Sequence, residues 1–183
     1  MPPPAQLIQR FSRFYPKPKI DPEWLEPCYE WVIDQHQLQP TTDLDQIYQL
    51  VEAQLLQSDL QDSMLQGTGL PLNVGEMEDG RLTGPPVLVQ ITSLTEIGHS
   101  AFTLQNIRQT RIDRADLAGL GGDDAEDEGP VLRYPRSMLR LQLSDGFTTI
   151  NAIEFRKLPD LILGETPLGY KVEYHNPHML KMA

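Results

Sequence analysis

The chain has 183 residues, 39% of them hydrophobic, with 26 Asp and Glu against 15 Lys and Arg and a formal net charge of −11. That length holds one ordinary domain plus a smaller appendage, with about two-thirds of the unfolded surface buried on folding. The acidic balance argues against a chain whose main task is gripping phosphate backbones, and favours a protein partner or a nucleic-acid role inside a complex. The single cysteine, Cys28, has no internal disulfide partner and fits a reducing compartment. No apolar run approaches the roughly 18 residues that span a bilayer, and Met1 to Phe11 shows no signal-peptide core. An intracellular, soluble protein without membrane contact is expected.

After Pro2 to Pro4, Leu7, Ile8, Phe11 and Phe14 recur at helical spacing and predict a first amphipathic helix, ended by Tyr15-Pro16-Lys17-Pro18. Asp21-Pro22 starts a second, with an N-cap acceptor followed by proline at the first helical position, where its missing N–H costs nothing. Trp24, Leu25, Cys28, Trp31 and Val32 form its predicted core face, with Pro27 as a local irregularity. A third helix opens at Pro40, capped by Thr41 or Thr42, and runs to about Ser63 on a stripe of Leu44, Ile47, Tyr48, Val51 and Leu55. Residues 1–66 thus read as a three-helix bundle whose small core would be steadier docked on the rest of the chain. Residues 67–81, punctuated by Gly67, Gly69, Pro71, Gly75 and Gly80, read as a linker of turns.

From Leu82 the period changes. Val87, Val89 and Ile91 alternate with Leu88, Gln90 and Thr92, which predicts a strand. Ser100 caps a short helical segment carrying Ala101, Leu104 and Ile107. Residues 108–137 show no sustained period and contain the acidic run Asp123 to Glu128, so they read as a long insertion loop, functional or disordered.

The clearest local signal follows. Leu139, Leu141 and Leu143 alternate with Arg140, Gln142 and Ser144, and Asp145-Gly146 supplies the residues of a type I′ turn. Ser144 would then face Phe147, Leu143 face Thr148, Leu141 face Ile150 and Leu139 face Ala152. The apolar parity slips to Ile153 and Phe155, which predicts a bulge near Ala152 and places Phe155 in the core of a small closed barrel. Tyr170 to Tyr174 reads as a further strand. The fold class expected is therefore α+β, a helical bundle at 1–66 and a β-barrel domain at 82–183.

The residues also resemble the N-terminal region of the RecQ-mediated genome instability protein 1 family. The resemblance rests on Trp24-Leu25-Glu26 through Trp31, Leu55 to Leu60, Val89 to Ile107, Ser137 to Glu154 and Leu168-Gly169-Tyr170-Lys171, which fall in the family's order across about 150 residues. It implies a three-helix bundle followed by an OB-fold. It also implies a nuclear, non-enzymatic partner of a type IA topoisomerase III and a RecQ-type helicase in double Holliday junction dissolution. In the family a long loop inserted between the first two OB strands reaches the topoisomerase gate, and residues 108–137 take that place here. Where the family continues past the strand at Tyr170 with another aliphatic strand, only His175 to Ala183 follow, so the last barrel strand is expected to be missing or poorly closed. The larger members' second, C-terminal OB-fold lies outside this sequence.

Leu117, Leu120, Val131, Leu132, Tyr134 and Pro135 flank the acidic run and are the expected partner-binding residues, because exposed apolar side chains gain by docking. Packing back on the protein's own barrel is the alternative. The acidic run itself either solvates the loop, contacts Lys or Arg of a partner, mimics phosphates or binds a cation, though it lacks the ligand spacing of an EF-hand. Lys171, at the family's Gly-x-Lys strand start, pairs with a partner carboxylate or stands as an ordinary surface lysine. Trp24 and Trp31 are expected in the bundle core. His175 and His178 stand beside no cysteine pair, and no nucleophile motif or phosphate loop appears, so neither metal, cofactor nor enzymatic activity is expected. The competing reading is an independent single-strand-binding module, with Phe147 and Phe155 as platforms and Arg133, Arg136, Arg140, Arg156 and Lys157 around them; DNA binding would be weak or occur through the complex.

Overall fold

The computed structural model describes residues 2–76, 84–119, 132–175 and 179–182. No helix in it is long and apolar enough to cross a membrane. Four helices open the chain: α1 (Ala5–Phe14), α2 (Pro22–His36), α3 (Leu44–Gln57) and the short α4 (Leu60–Ser63). Asp21 caps α2 as expected, its carboxylate accepting from Glu23 N–H, and Pro22 takes the first helical position. The third predicted helix is in fact two. Backbone turns extended at Ser58, and Asp59 then caps α4 by accepting from Gln61 N–H at 2.9 Å.

The bundle core holds Leu7, Phe11, Leu25, Tyr29, Val32, Ile47, Tyr48, Val51, Leu55 and Leu60. On α2 the buried stripe is Leu25, Tyr29 and Val32, one position round from the expected one. Trp24 and Cys28 flank it half-buried, and Trp31, expected inside, is 50% exposed with its ring edge-on to His36. Ile8 and Phe14 likewise lie on the outer side of α1. Each helix touches the core over an arc narrower than its apolar face, so tertiary packing chooses between adjacent stripes.

Among the described residues, five strands make one sheet in the order β3-β2-β1-β4-β5: β1 (Val87–Glu96), β2 (Leu139–Ser144), β3 (Thr149–Ile153), β4 (Lys171–His175) and β5 (Met179–Met182). β1 and β4 are antiparallel with Val89 opposite Val172, and β4 pairs antiparallel with β5, Val172 opposite Met182. A strand thus follows β4, where the last one was expected to be missing or poorly closed, and in the strand order β3 and β5 stand at the two ends.

The hairpin forms, with its register two residues from the expected one. Asp145 N–H donates to Thr148 O and Glu154 N–H donates to Leu139 O, so Leu139 lies opposite Glu154 rather than Ala152. A shift of two keeps every side chain on its face. The loop residues are Gly146, at φ +102°, and Phe147, while Asp145 closes the turn by accepting from both Phe147 and Thr148 N–H. The two backbone bonds give one register along the whole pair, so no bulge intervenes at Ala152. Instead the inward positions continue through Ile150 and Ala152 to Glu154, and the bulky Ile153 and Phe155 face out, Phe155 being 87% exposed. Their parity marks an exposed apolar face, not a slipped strand.

The chain forms two compact units, one of 1–93, 141–152 and 167–183, the other of 94–140 and 153–166. Within the first, helices and strands share a core, for Leu88 of β1 belongs to the bundle's apolar cluster. Gln90 clamps the α4 terminus, its Oε1 accepting from Leu60 N–H and its Nε2 donating to Asp59 at 2.9 Å. Asp59 is held below the ordinary carboxylate range by the Gln61 N–H and the Gln90 amide. Leu70, in the segment read as a linker, is buried, and its N–H donates to the Asp145 carboxylate at 2.6 Å. Residues 77–81 of that segment lie outside the described residues.

Candidate partner-docking site

The second unit contains the insertion. Residues 108–137, expected to be a loop from the start, begin as helix, because α5 runs unbroken from Ala101 to Gly119. From Ala101 to Asp116 it has no buried residue: Phe102 is 71% exposed, Ile112 is exposed, and Leu104, Ile107 and Arg111 are only half-covered. Ser100 caps it, its hydroxyl accepting from Thr103 N–H at 3.2 Å, and Gln109 donates to Asp113 one turn on. Over that stretch the helix gains little from packing on its own unit.

Two buried carboxylates fix the base from which α5 departs. Glu96, at the end of β1, accepts from Gly98 N–H at 2.6 Å and Ser137 N–H at 2.9 Å, with Met138 N–H and His99 Nδ1 at 3.4 and 3.2 Å. Burial alone would raise its pKa, but the backbone donors and His99 outweigh burial and hold it below the usual glutamate range. Glu154 binds Arg136 and accepts from Leu139 N–H at 3.1 Å and from Leu158 N–H. Together they tie both ends of the insertion to the strands.

The return segment is tied to the helix as well. The Arg111 guanidinium lies over the Tyr134 ring at 5.0 Å and donates to Leu132 O at 3.3 Å. Gly164, at φ +81°, lets that ring pack close: a Cβ there would stand 2.6 Å from Tyr134 Cε2.

Of the expected site residues, Leu132 is exposed and Tyr134 and Pro135 are half-buried beside α5. Tyr134 therefore packs within its own unit and presents only part of its ring. Leu117 lies in α5, with its side chain outside the described residues. Leu120, Val131 and the acidic run Asp123 to Glu128 lie outside them entirely. Lys171 is a correction. It is 4% exposed, in the first unit, and its Nζ donates to Ser58 O and Gly169 O, so it is neither a surface lysine nor available to a partner carboxylate. Burial pushes its pKa down, against the pull of Asp59. The sequence reading missed Glu96, Glu154 and Arg111. The inward parity of Ile150 and Ala152 points to Glu154 only once its partners are seen, and Glu96 and Arg111 owe their roles largely to Ser137, Met138, Leu132 and Tyr134, far from them in sequence.

Comparison with known proteins agrees with this architecture. Residues 12–63 match a family model described as RMI1, N-terminal helical domain, and residues 57–179 match RMI1, N-terminal OB-fold domain. The RecQ-mediated genome instability protein 1 of Mus musculus is 33% identical over 84% of this chain and 24% of its own length. That of Danio rerio is 28% identical over 98% of this chain and 33% of its own, and that of Gallus gallus 29% over 86% and 24%. The chain thus spans a quarter to a third of the curated relatives it matches. With an N-terminal helical domain followed by an OB-fold, this chain belongs to the RecQ-mediated genome instability protein 1 family, in its N-terminal region.

Proposed function

We propose that this chain is a non-enzymatic scaffold and regulatory module in genome maintenance that docks on a type IA topoisomerase III acting with a RecQ-type helicase in the nucleus. The OB-fold insertion sets the balance between open and closed topoisomerase gate during dissolution of double Holliday junctions. The observation that supports this reading is α5 itself, a 19-residue helix whose base is fixed by Glu96, which is tied midway along its length through Arg111 to Tyr134, and which carries no buried residue from Ala101 to Asp116. A rigidly rooted element with exposed Phe102 and Ile112 is suited to pack on another protein. Gate control requires that it contact one gate state better than the other, since a ligand shifts an equilibrium only by its differential affinity.

Replacing 112–133 with a short Gly linker tests the reading. The variant is expected to co-purify with its cognate topoisomerase while decatenation and dissolution fall several-fold. Full activity of the deleted protein in the complex overturns gate control, and failure of the parent chain to co-purify with any type IA topoisomerase overturns docking.

A further inference from the structure

A groove of about 480 Å³ runs between α2 and the end of α3, within the first unit. Trp24, Pro27, Cys28 and Trp31 of α2 line one side and Gln54 and Gln57 of α3 the other. Trp24 and Trp31, seven residues apart, lie on one face of the helix, about 10 Å from each other along its axis. Trp31 and Pro27 are exposed, and among the described residues no cation lies over either indole. The border of the groove is acidic. Glu23, Pro27, Glu30 and Asp34 follow at spacings of four, three and four, a stripe beside the two tryptophans whose three carboxylates are exposed. The carboxylates of Glu23 and Asp34 form no ion pair among the described residues. Between Lys19 and Arg81 the sequence holds no Lys or Arg, while ten Asp and Glu fall from Asp21 to Asp62.

We infer that this groove is a docking site for a proline-rich, arginine-bearing segment of a partner protein, its guanidinium groups stacking on Trp24 and Trp31 and pairing with Glu23 and Asp34. Indole is the strongest cation-binding ring among the side chains, and the flat guanidinium stacks on it where a lysine ammonium cannot. A polyproline helix rises about 3.1 Å per residue with three residues per turn, so arginines three apart stand on one side at roughly 9 Å, close to the tryptophan spacing. Such segments settle in aromatic-lined grooves at small ordering cost because they are already extended. The acidic border repels phosphates, and an uncharged occupant would leave its carboxylates without a counter-charge. The groove shares no residue with α5, so docking here stands or falls apart from gate control.

The chain has two tryptophans, and both line the groove, so the intrinsic emission of the whole protein reports on it. A synthetic peptide of three arginines separated by pairs of prolines, which has no aromatic residue, is the probe. Titration at low salt should give a saturable change in tryptophan emission and protect it from acrylamide quenching, and added salt should weaken binding. Replacing the peptide's arginines with lysine should weaken binding about five-fold, and replacing them with alanine should abolish it. By calorimetry, Trp31→Ala should weaken it about five-fold or more, and Glu23→Gln with Asp34→Asn about five-fold. These positions are exposed, and circular dichroism of each variant verifies the fold. No saturable change at low salt overturns the inference, as does equal affinity for the lysine or alanine peptide, or binding indifferent to Trp31→Ala. Self-association of the chain that Trp31→Ala abolishes also overturns it, since a second copy would then fill the groove.

Discussion

Lys171 Nζ donates to the carbonyl oxygen of Ser58, the residue at which α3 ends, and to that of Gly169 at 2.9 Å. One buried ammonium thereby joins a strand to a helix terminus 113 residues away. Lys171→Met keeps the aliphatic stem and removes the donor, leaving two carbonyls unsatisfied. Urea unfolding should show a loss of about 1–3 kcal/mol; a change under about 0.5 kcal/mol would mean that the carbonyls find water and that Lys171 does not hold the helices to the sheet.

Glu96 gives the second unit a pH dependence of known sign. Its pKa is depressed in the folded state, so the unfolded chain takes up the proton first, near the ordinary value of about 4.3. The stability that Glu96 contributes is full above that value and lost as pH falls through the folded one. Glu96→Gln cannot accept through both oxygens and should cost about 1–3 kcal/mol at neutral pH. Denaturation midpoints of parent and variant should converge as pH drops below about 4; a gap that stays constant with pH would rule out the carboxylate's charge as the cause.

Asp145 and Gly146 make the hairpin turn intolerant of substitution. Asp145 accepts from the N–H groups of Leu70, Phe147 and Thr148, so Asp145→Ala strands three donors and should cost about 3 kcal/mol. Gly146→Ala combines φ +102° with a Cβ 2.6 Å from the Leu60 carbonyl and should cost about 2 kcal/mol or more. Thermal melts of both variants verify this, and a Gly146→Ala protein as stable as its parent would mean that the turn relaxes freely away from α4.

Arg111 should matter locally. Arg111→Ala removes its contacts with Tyr134 and Leu132 and should lower global stability by about 1 kcal/mol or less. Amide exchange across 132–135 should quicken, while Arg108→Ala, an exposed change on the same helix, leaves it unaltered. Equal exchange in the two variants would show that Arg111 does not anchor the return segment.

Much of the fold was legible because it is written in short-range chemistry. Asp21-Pro22 starts its helix where the capping rule places it, and the alternation of Leu139, Leu141 and Leu143 puts all three inside. The length of α5 was illegible for a definite reason: hydrophobic periodicity reports a buried face, and from Ala101 to Asp116 this helix has none to report. Phe155 was misplaced because an exposed apolar face and a bulged buried one have the same sequence pattern. The alternation through Ile150 and Ala152 to Glu154 separates the two only when the carboxylate's partners, Arg136 and the Leu139 and Leu158 N–H groups, are seen.

The sequence by itself determined the order of elements, the α+β class, the hairpin and the inward face of Leu139, Leu141 and Leu143, and the resemblance to the family, since each rests on neighbours within a few residues or on ordered blocks along the chain. Tertiary structure decided which stripe of α2 is core, that Ser58 divides one expected helix into two, that β5 adds to β4, and that Lys171 is an internal fastening. Each of those outcomes depends on which groups meet across long separations, where burial and hydrogen-bond satisfaction outweigh local preference.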